Sequence, residues 1–185
     1  MGIIVPATFC DNQTVQGKVR IDVIDARGLN RNDLNVWLES WVLPDIPQKA
    51  LNPPTERGRI VQTVYSSNLI VATGRAYLGL LVKGSTPAPT DVAVGTSDAA
   101  AADGDTTLGS ETFRDNITQR INITNGARIR FILSSTASNG SLLAEAGIFG
   151  PSPNLYMLSR VTYTPISKTA SVAVNYTWDI SFTQP

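Results

Sequence analysis

Ser171-Val-Ala-Val-Asn-Tyr-Thr-Trp-Asp-Ile-Ser-Phe182, SVAVNYTWDISF, alternates without a break. Val172, Val174, Tyr176, Trp178, Ile180 and Phe182 fall on one side of an extended chain, and small or polar residues fall on the other. Successive strand side chains point to opposite faces, so the pattern predicts a strand with one face in a core. At about 3.3 Å per residue it would run roughly 40 Å, long for a globular domain.

Working upstream, Leu155 to Thr164 alternates in the same way and Pro165 closes it. The linker Pro165–Ala170 would let these two strands pair as a long C-terminal hairpin or cross between sheets. Asn116 to Ser134 predicts a second hairpin, with Ile117, Ile121 and Ile123 on one face and Ile129, Phe131 and Leu133 on one face of the return. Between them stands Asn125-Gly126, the pair preferred in a type I′ turn because both central positions need positive φ. Near the start, Lys18 to Val23 alternates strictly. One helix is predicted over Arg75–Lys83, with Thr73 as its N-cap and Gly84 as its stop. Pro44–Arg59 and Lys83–Ser110 read as loops, the second interrupted by a short strand at Asp91–Val94. Many strands, one short helix and long loops predict an all-β chain: an antiparallel β-sandwich, with a jelly roll as its variant. The chain divides into an N-terminal arm, 1–16, and a single domain, 17–185, with an enlarged segment at 27–59.

Composition narrows the chemistry. The 185 residues suit one ordinary domain that buries a core without disulfides or metals. Hydrophobic residues make up 42% and charged residues only 16%, which fits a β-rich chain partly covered by partners. Lys plus Arg and Asp plus Glu both total 15, so there is no basic excess for nucleic-acid binding. The absence of histidine removes Ser-His-Asp and Cys-His catalysis and histidine zinc sites, and the lone Cys10 removes an intrachain disulfide. No basic leader precedes the first apolar residues and no apolar run approaches a membrane span, so a soluble protein made in the cytoplasm is expected.

The remaining candidate sites have plain structural readings. Asp98 to Asp105 lacks the alternate ligands and closing glutamate of an EF-hand and reads as a surface turn. Arg57-Gly-Arg59 and Arg128-Ile-Arg130 read as a solvated face or as cross-strand partners of acids. Asn-x-Ser/Thr triplets at Asn12, Asn116, Asn122, Asn139 and Asn175 follow from a composition rich in those residues. The sharpest question is Glu145, the one carboxylate in the apolar stretch Ser141–Gly150, SLLAEAGIFG. It could serve as the raised-pKa acid of a glycan hydrolase, with Glu111, Asp115 or Asp179 as its second carboxylate. The simpler reading is a buried anchor paired with an arginine, for which Arg114 and Arg160 are the candidates.

Several segments, taken in order, resemble a family of tailed-bacteriophage virion structural proteins. They are Asn68–Arg75, Pro89–Thr96, Asp105–Arg114, Asn139–Phe149, Met157–Arg160, Pro165–Thr169 and Tyr176–Phe182. The resemblance covers the chain from about Gly17 onward and is interrupted by Arg27–Glu56, which carries Trp37, Trp41 and several prolines. It implies no enzymatic activity and no cofactor, and the residues themselves predict no metal site. It implies a virion location, with two roles: a capsid decoration (cement) protein bound to the major capsid protein, or a tail fibre, baseplate or other tail-associated protein. The absence of a coiled coil or shaft suits decoration better, as a homo-oligomer and preferentially a trimer, without nucleic acid or membrane. Contact residues for such a role would be Ile3, Ile4, Val5 and Phe9 in the arm and Trp37 and Trp41 in the enlarged segment. A glycan hydrolase or glycan-binding module is the third reading.

Overall fold

The structure, a computed structural model, describes residues 14–29, 59–152 and 156–183. In chain order these form β1 (Thr14–Asp25), β2 (Ile60–Ile70), helix α1 (Ala72–Val82), β3 (Asp91–Gly95), β4 (Glu111–Asn116) and β5 (Gln119–Ile123). They continue with β6 (Gly126–Leu133), β7 (Leu142–Phe149), β8 (Met157–Ser167) and β9 (Val172–Thr183). The described residues form an all-β fold with one short helix, as the periodicity predicts. All strands join one nine-stranded antiparallel sheet in the order β4-β3-β7-β8-β2-β1-β9-β6-β5. One continuous curled sheet carries the architecture, with β2 joining its two halves.

Two places turn the sheet back on itself. Strand β2 pairs with β1 through Asn68 and with β8 only at Leu69 and Ile70, so it passes from one half of the sheet to the other. The end strands β4 and β5 are consecutive in the chain, separated only by Ile117 and Thr118. There the hydrogen bonding changes sides: Ile117 N–H donates to the Thr90 carbonyl at 2.7 Å and Thr118 N–H to the Arg130 carbonyl at 2.9 Å. Strands that switch partners at bends are the usual way to make such corners.

The two halves enclose one core. Val19, Ile21, Phe131, Val174, Tyr176 and Trp178 come from one half, and Val94, Ala146, Ile148, Leu158, Val161 and Tyr163 from the other. The alternating face of Val172–Phe182 supplies its centre: Tyr176 and Trp178 are fully buried and stack at 5.5 Å, while Phe182 at the strand end is half exposed. Burying one such side chain contributes about 1.5–3 kcal/mol, so this strand is a main source of stability.

Five local expectations change. Strands β8 and β9 do not form a hairpin: β8 pairs with β7 and β2, and β9 with β1 and β6. They meet across the core, where the Tyr163 and Tyr176 hydroxyls lie 2.8 Å apart, which is the sheet-crossing arrangement. Strand β8 also runs through Pro165 to Ser167, because its register against β7 is irregular between Leu143 and Glu145. A bulge leaves strand residues out of the ladder and so tolerates a proline without an N–H.

The Asn116–Ser134 hairpin forms, but its turn is Thr124-Asn125, with Ile123 opposite Gly126 and positive φ, 57°, at Asn125 only. Gly126 belongs to the strand. A Cβ there would lie 2.1 Å from the Ile180 carbonyl oxygen, so glycine is needed for close approach to β9 rather than for the turn. Helix α1 starts before Thr73, whose hydroxyl donates to the Met157 carbonyl at 3.0 Å instead of capping. Strand β1 begins at Thr14, inside the segment set apart as an arm. Ile3, Ile4, Val5, Phe9, Trp37 and Trp41 lie outside the described residues.

Candidate functional site

Glu145 lies in the middle of β7, with Gly95 of β3 on one side and Thr162 of β8 on the other. Alternation along β7 turns its neighbours Ala146 and Ile148 into the core, so the Glu145 side chain leaves on the opposite, outer face. On that face the register sets two rows. One contains Glu111, Gly95, Glu145 and Thr162; the next contains Arg114, Ala93, Gly147 and Arg160. Glu145 thus has Arg160 on its cross-strand diagonal, and Glu111 has Arg114 three residues along its own strand, both within reach of a long side chain. The positions between them are glycine or alanine, leaving room for the guanidinium groups to lean across.

Both arginines find a glutamate. Arg160 donates to Glu145 Oε2 through Nε at 3.0 Å, and its Nη2 lies 2.9 Å from the same oxygen. Arg114 instead pairs with Glu111 at 2.7 Å and lies 3.8 Å above the centre of the Phe149 ring. Of the two candidate partners for Glu145, Arg160 is the one the fold brings to it.

The rest of the Glu145 carboxylate is taken by the loop between β3 and β4. Backbone N–H groups of Ser110 (2.7 Å) and Ser97 (3.3 Å) donate to Oε1, and that of Gly109 (3.0 Å) donates to Oε2. With Arg160 these saturate the four or so lone-pair sites of a carboxylate. Glu145 is 0% exposed, so a carboxylate short of these donors would be costly to bury. Gly95 belongs to the same fit, because a Cβ there would lie 2.5 Å from Glu145 Oε1 and 2.4 Å from the Ser110 carbonyl oxygen.

Arg160 extends the cluster. Its Nη1 donates to Asp105 at 2.7 Å and its Nη2 to the Ala99 carbonyl at 3.1 Å. Burial alone would lower the Arg160 pKa, but its bonds to Asp105 and Glu145 outweigh that and hold it above the ordinary value. Asp105 sits below the usual aspartate range because the Ala102 N–H and Arg160 both donate to it. The segment that reads as a surface turn is therefore tied to the sheet. Asp103 pairs with Arg75 of α1 at 2.7 Å, and Leu108 packs with Val71, Ala93, Phe149 and Met157.

This arrangement suits anchoring. A general acid must reach its substrate, whereas Glu145 is buried and its oxygens accept from Arg160, Ser97, Gly109 and Ser110. Of the proposed second carboxylates, Glu111 pairs with Arg114, Asp179 pairs with Arg128 at 2.6 Å, and Asp115 accepts from the Asn116 N–H at 2.8 Å. The Asp179 pair also gives Arg128 the cross-strand acid expected for it. Among the described residues no group of three or more His, Cys, Asp or Glu side chains could hold a metal ion. No helix among them is long and apolar enough to cross a membrane.

Sequence reasoning missed Asp105, whose role depends on the register that sets Arg160 under the loop. It also missed Lys168, which is 0% exposed and donates to Asn139 Oδ1 at 2.8 Å and to the carbonyls of Thr169 and Ser135. Nothing in the pattern of Pro165–Ala170 marks that lysine as buried. An open apolar groove runs along α1, lined by Val15, Arg75, Leu78, Leu81, Val82 and Phe182. No protein-family model, no curated protein and no solved structure matches the chain.

Proposed function

We propose that this chain is a non-enzymatic virion structural protein, a decoration (cement) protein that binds and stabilises a shell of major capsid protein. The observation that carries the non-enzymatic half is the saturation of Glu145 by Arg160 and three backbone N–H groups. The carboxylate best placed by sequence to act as an acid is spent on holding a loop. The virion half rests on the resemblance of the seven segments from Asn68 to Phe182. A compact β domain whose long loop is pinned flat on the sheet suits a protein that sits on a surface better than one that projects from it.

In this reading Ile3, Ile4, Val5, Phe9, Trp37 and Trp41 make the contacts, burying apolar area worth about 25 cal/mol per Å². Two or more such contacts per assembly multiply the effect through local concentration. Purified particles incubated with chain lacking residues 1–12 test it. Occupancy falls while the circular dichroism of the β domain is unchanged. Full occupancy by the truncated chain sinks the contact assignment. Labelled full-length chain spread over the shell supports decoration, labelling confined to the tail selects the tail-associated role, and no labelling removes the virion reading.

A further inference from the structure

Among the described residues, strand β2 has a free edge. From Ile60 to Tyr65 it pairs with β1 on one side, and no described residue pairs with its other side; β8 joins it only at Leu69 and Ile70. The Ser66 hydroxyl donates to the Thr162 carbonyl at 3.0 Å and marks where the two strands part. Such an edge presents unpaired backbone donors and acceptors, and soluble proteins usually blunt it with lysine, proline or a short strand. Among the described residues this one is blunted only by an irregularity opposite Val23/Ile24 at its first end. The sequence Ile60–Ile70, IVQTVYSSNLI, has no charge and no proline, and two of its large side chains, Val61 and Tyr65, are 51% and 71% exposed.

We propose that this edge docks the same edge of a second copy, so that β2 and its counterpart pair antiparallel about a two-fold axis. The pattern of the strand is self-complementary, which is what an isologous contact requires. In a register centred on Thr63, residues whose numbers sum to 126 face each other. Tyr65 then stands opposite Val61 of the second copy, and Thr63 opposite itself. An aromatic residue beside a β-branched one and a threonine pair are both favourable cross-strand combinations. The same register sets the two exposed apolar side chains against each other on one face and joins the two sheets edge to edge. The neutral strand offers no like charges to repel the second copy. This two-fold contact differs from the three-fold assembly expected from the sequence, and it stands apart from the capsid reading, since it concerns the isolated chain.

Light scattering on the full chain at micromolar concentration tests the pairing. The expected mass is twice the 19.8 kDa of the chain. Tyr65→Lys, an exposed change that leaves the core untouched, converts the dimer to monomer with an unchanged circular dichroism spectrum. The double variant Val61→Glu, Tyr65→Lys is dimeric again, because each lysine then faces a glutamate of the other copy. A monomer or trimer for the unmodified chain, or a dimer that survives Tyr65→Lys, overturns the proposal. A double variant that stays monomeric overturns the Thr63-centred register.

Discussion

Glu145 in β7 and Lys168, just past the end of β8, are both buried charges that hold a loop to the same pair of strands. Glu145 holds the loop between β3 and β4 by accepting backbone N–H bonds. Lys168 holds the loop before β7 by donating to Ser135 and Asn139, and its own backbone bonds Gly140 and Ser141. The difference is compensation. Arg160 cancels the charge of Glu145, whereas the oxygens of Ser135, Asn139 and Thr169 that accept from Lys168 are neutral. Neutral acceptors satisfy the donors of an ammonium but leave its charge uncancelled, so burial lowers the Lys168 pKa to about 8. One loop is held by an ion pair, the other by a cation that is close to losing its proton.

The largest break in that comparison is Arg160→Met, which leaves Glu145 buried and unpaired. Removing one partner of a buried pair costs about 3–5 kcal/mol, read as a lower urea midpoint. Glu145→Gln is milder, at about 1–3 kcal/mol, because Arg160 keeps Asp105 while the amide NH₂ cannot accept from Gly109 or Ser110. A Glu145→Gln variant as unstable as Arg160→Met would mean that the two residues are not compensating each other. Preserved stability in Arg160→Met would remove the anchor reading altogether.

How far the sequence shows these sites follows from what sets them. Strands β1, β6 and β9 are legible because their alternation records burial on one face, residue by residue. Buried Glu145 is legible as a carboxylate in need of a cation, since SLLAEAGIFG offers it no local partner. The choice of Arg160 over Arg114 is not, because it depends on which residue of β8 stands opposite Gly147, and pairing register is a tertiary property. Pro165 misleads for a related reason: a proline reads as a strand end unless the bulge that absorbs it is known. Asp105 and Lys168 are invisible for a third reason. Both lie in polar loop sequence, and only the sheet beneath them turns those positions into anchors.

A smaller effect separates the anchors by pH. The folded pKa of Lys168, about 8, is below its ordinary 10.5, so between those values the unfolded chain carries the extra proton. Stability therefore rises with pH across that window, by at most about 1.4 kcal/mol per unit for one proton. Burial raises the pKa of both Tyr163 and Tyr176, which gives the opposite sign above the ordinary tyrosine value of 10.0: the folded phenols keep protons the unfolded chain loses, and stability falls. Melting temperatures should climb from about pH 8, turn over above about pH 10, and lose the climb in Lys168→Met. A Lys168→Met profile with the same rise would assign it to another group.

The smallest effect isolates Asp105, the outer member of the ion-paired anchor. Its side chain is 22% exposed and Arg160 keeps Glu145 without it, so Asp105→Asn costs no more than about 1 kcal/mol, the range of a surface pair. Its lowered pKa means the folded state favours the carboxylate. That contribution is present above the ordinary aspartate value of 3.8 and disappears as pH falls below it through the folded value. The native chain and Asp105→Asn should therefore differ in melting temperature at neutral pH and converge in acid. Hydrogen exchange separates the two carboxylates within one loop. The Ala102 amide donates to Asp105 and exchanges faster in the variant, while the Gly109 and Ser110 amides, which donate to Glu145, keep their protection. Faster exchange at Gly109 and Ser110 as well would show that Asp105 positions Arg160 for Glu145, making the cluster one cooperative unit rather than an inner anchor with an outer tie.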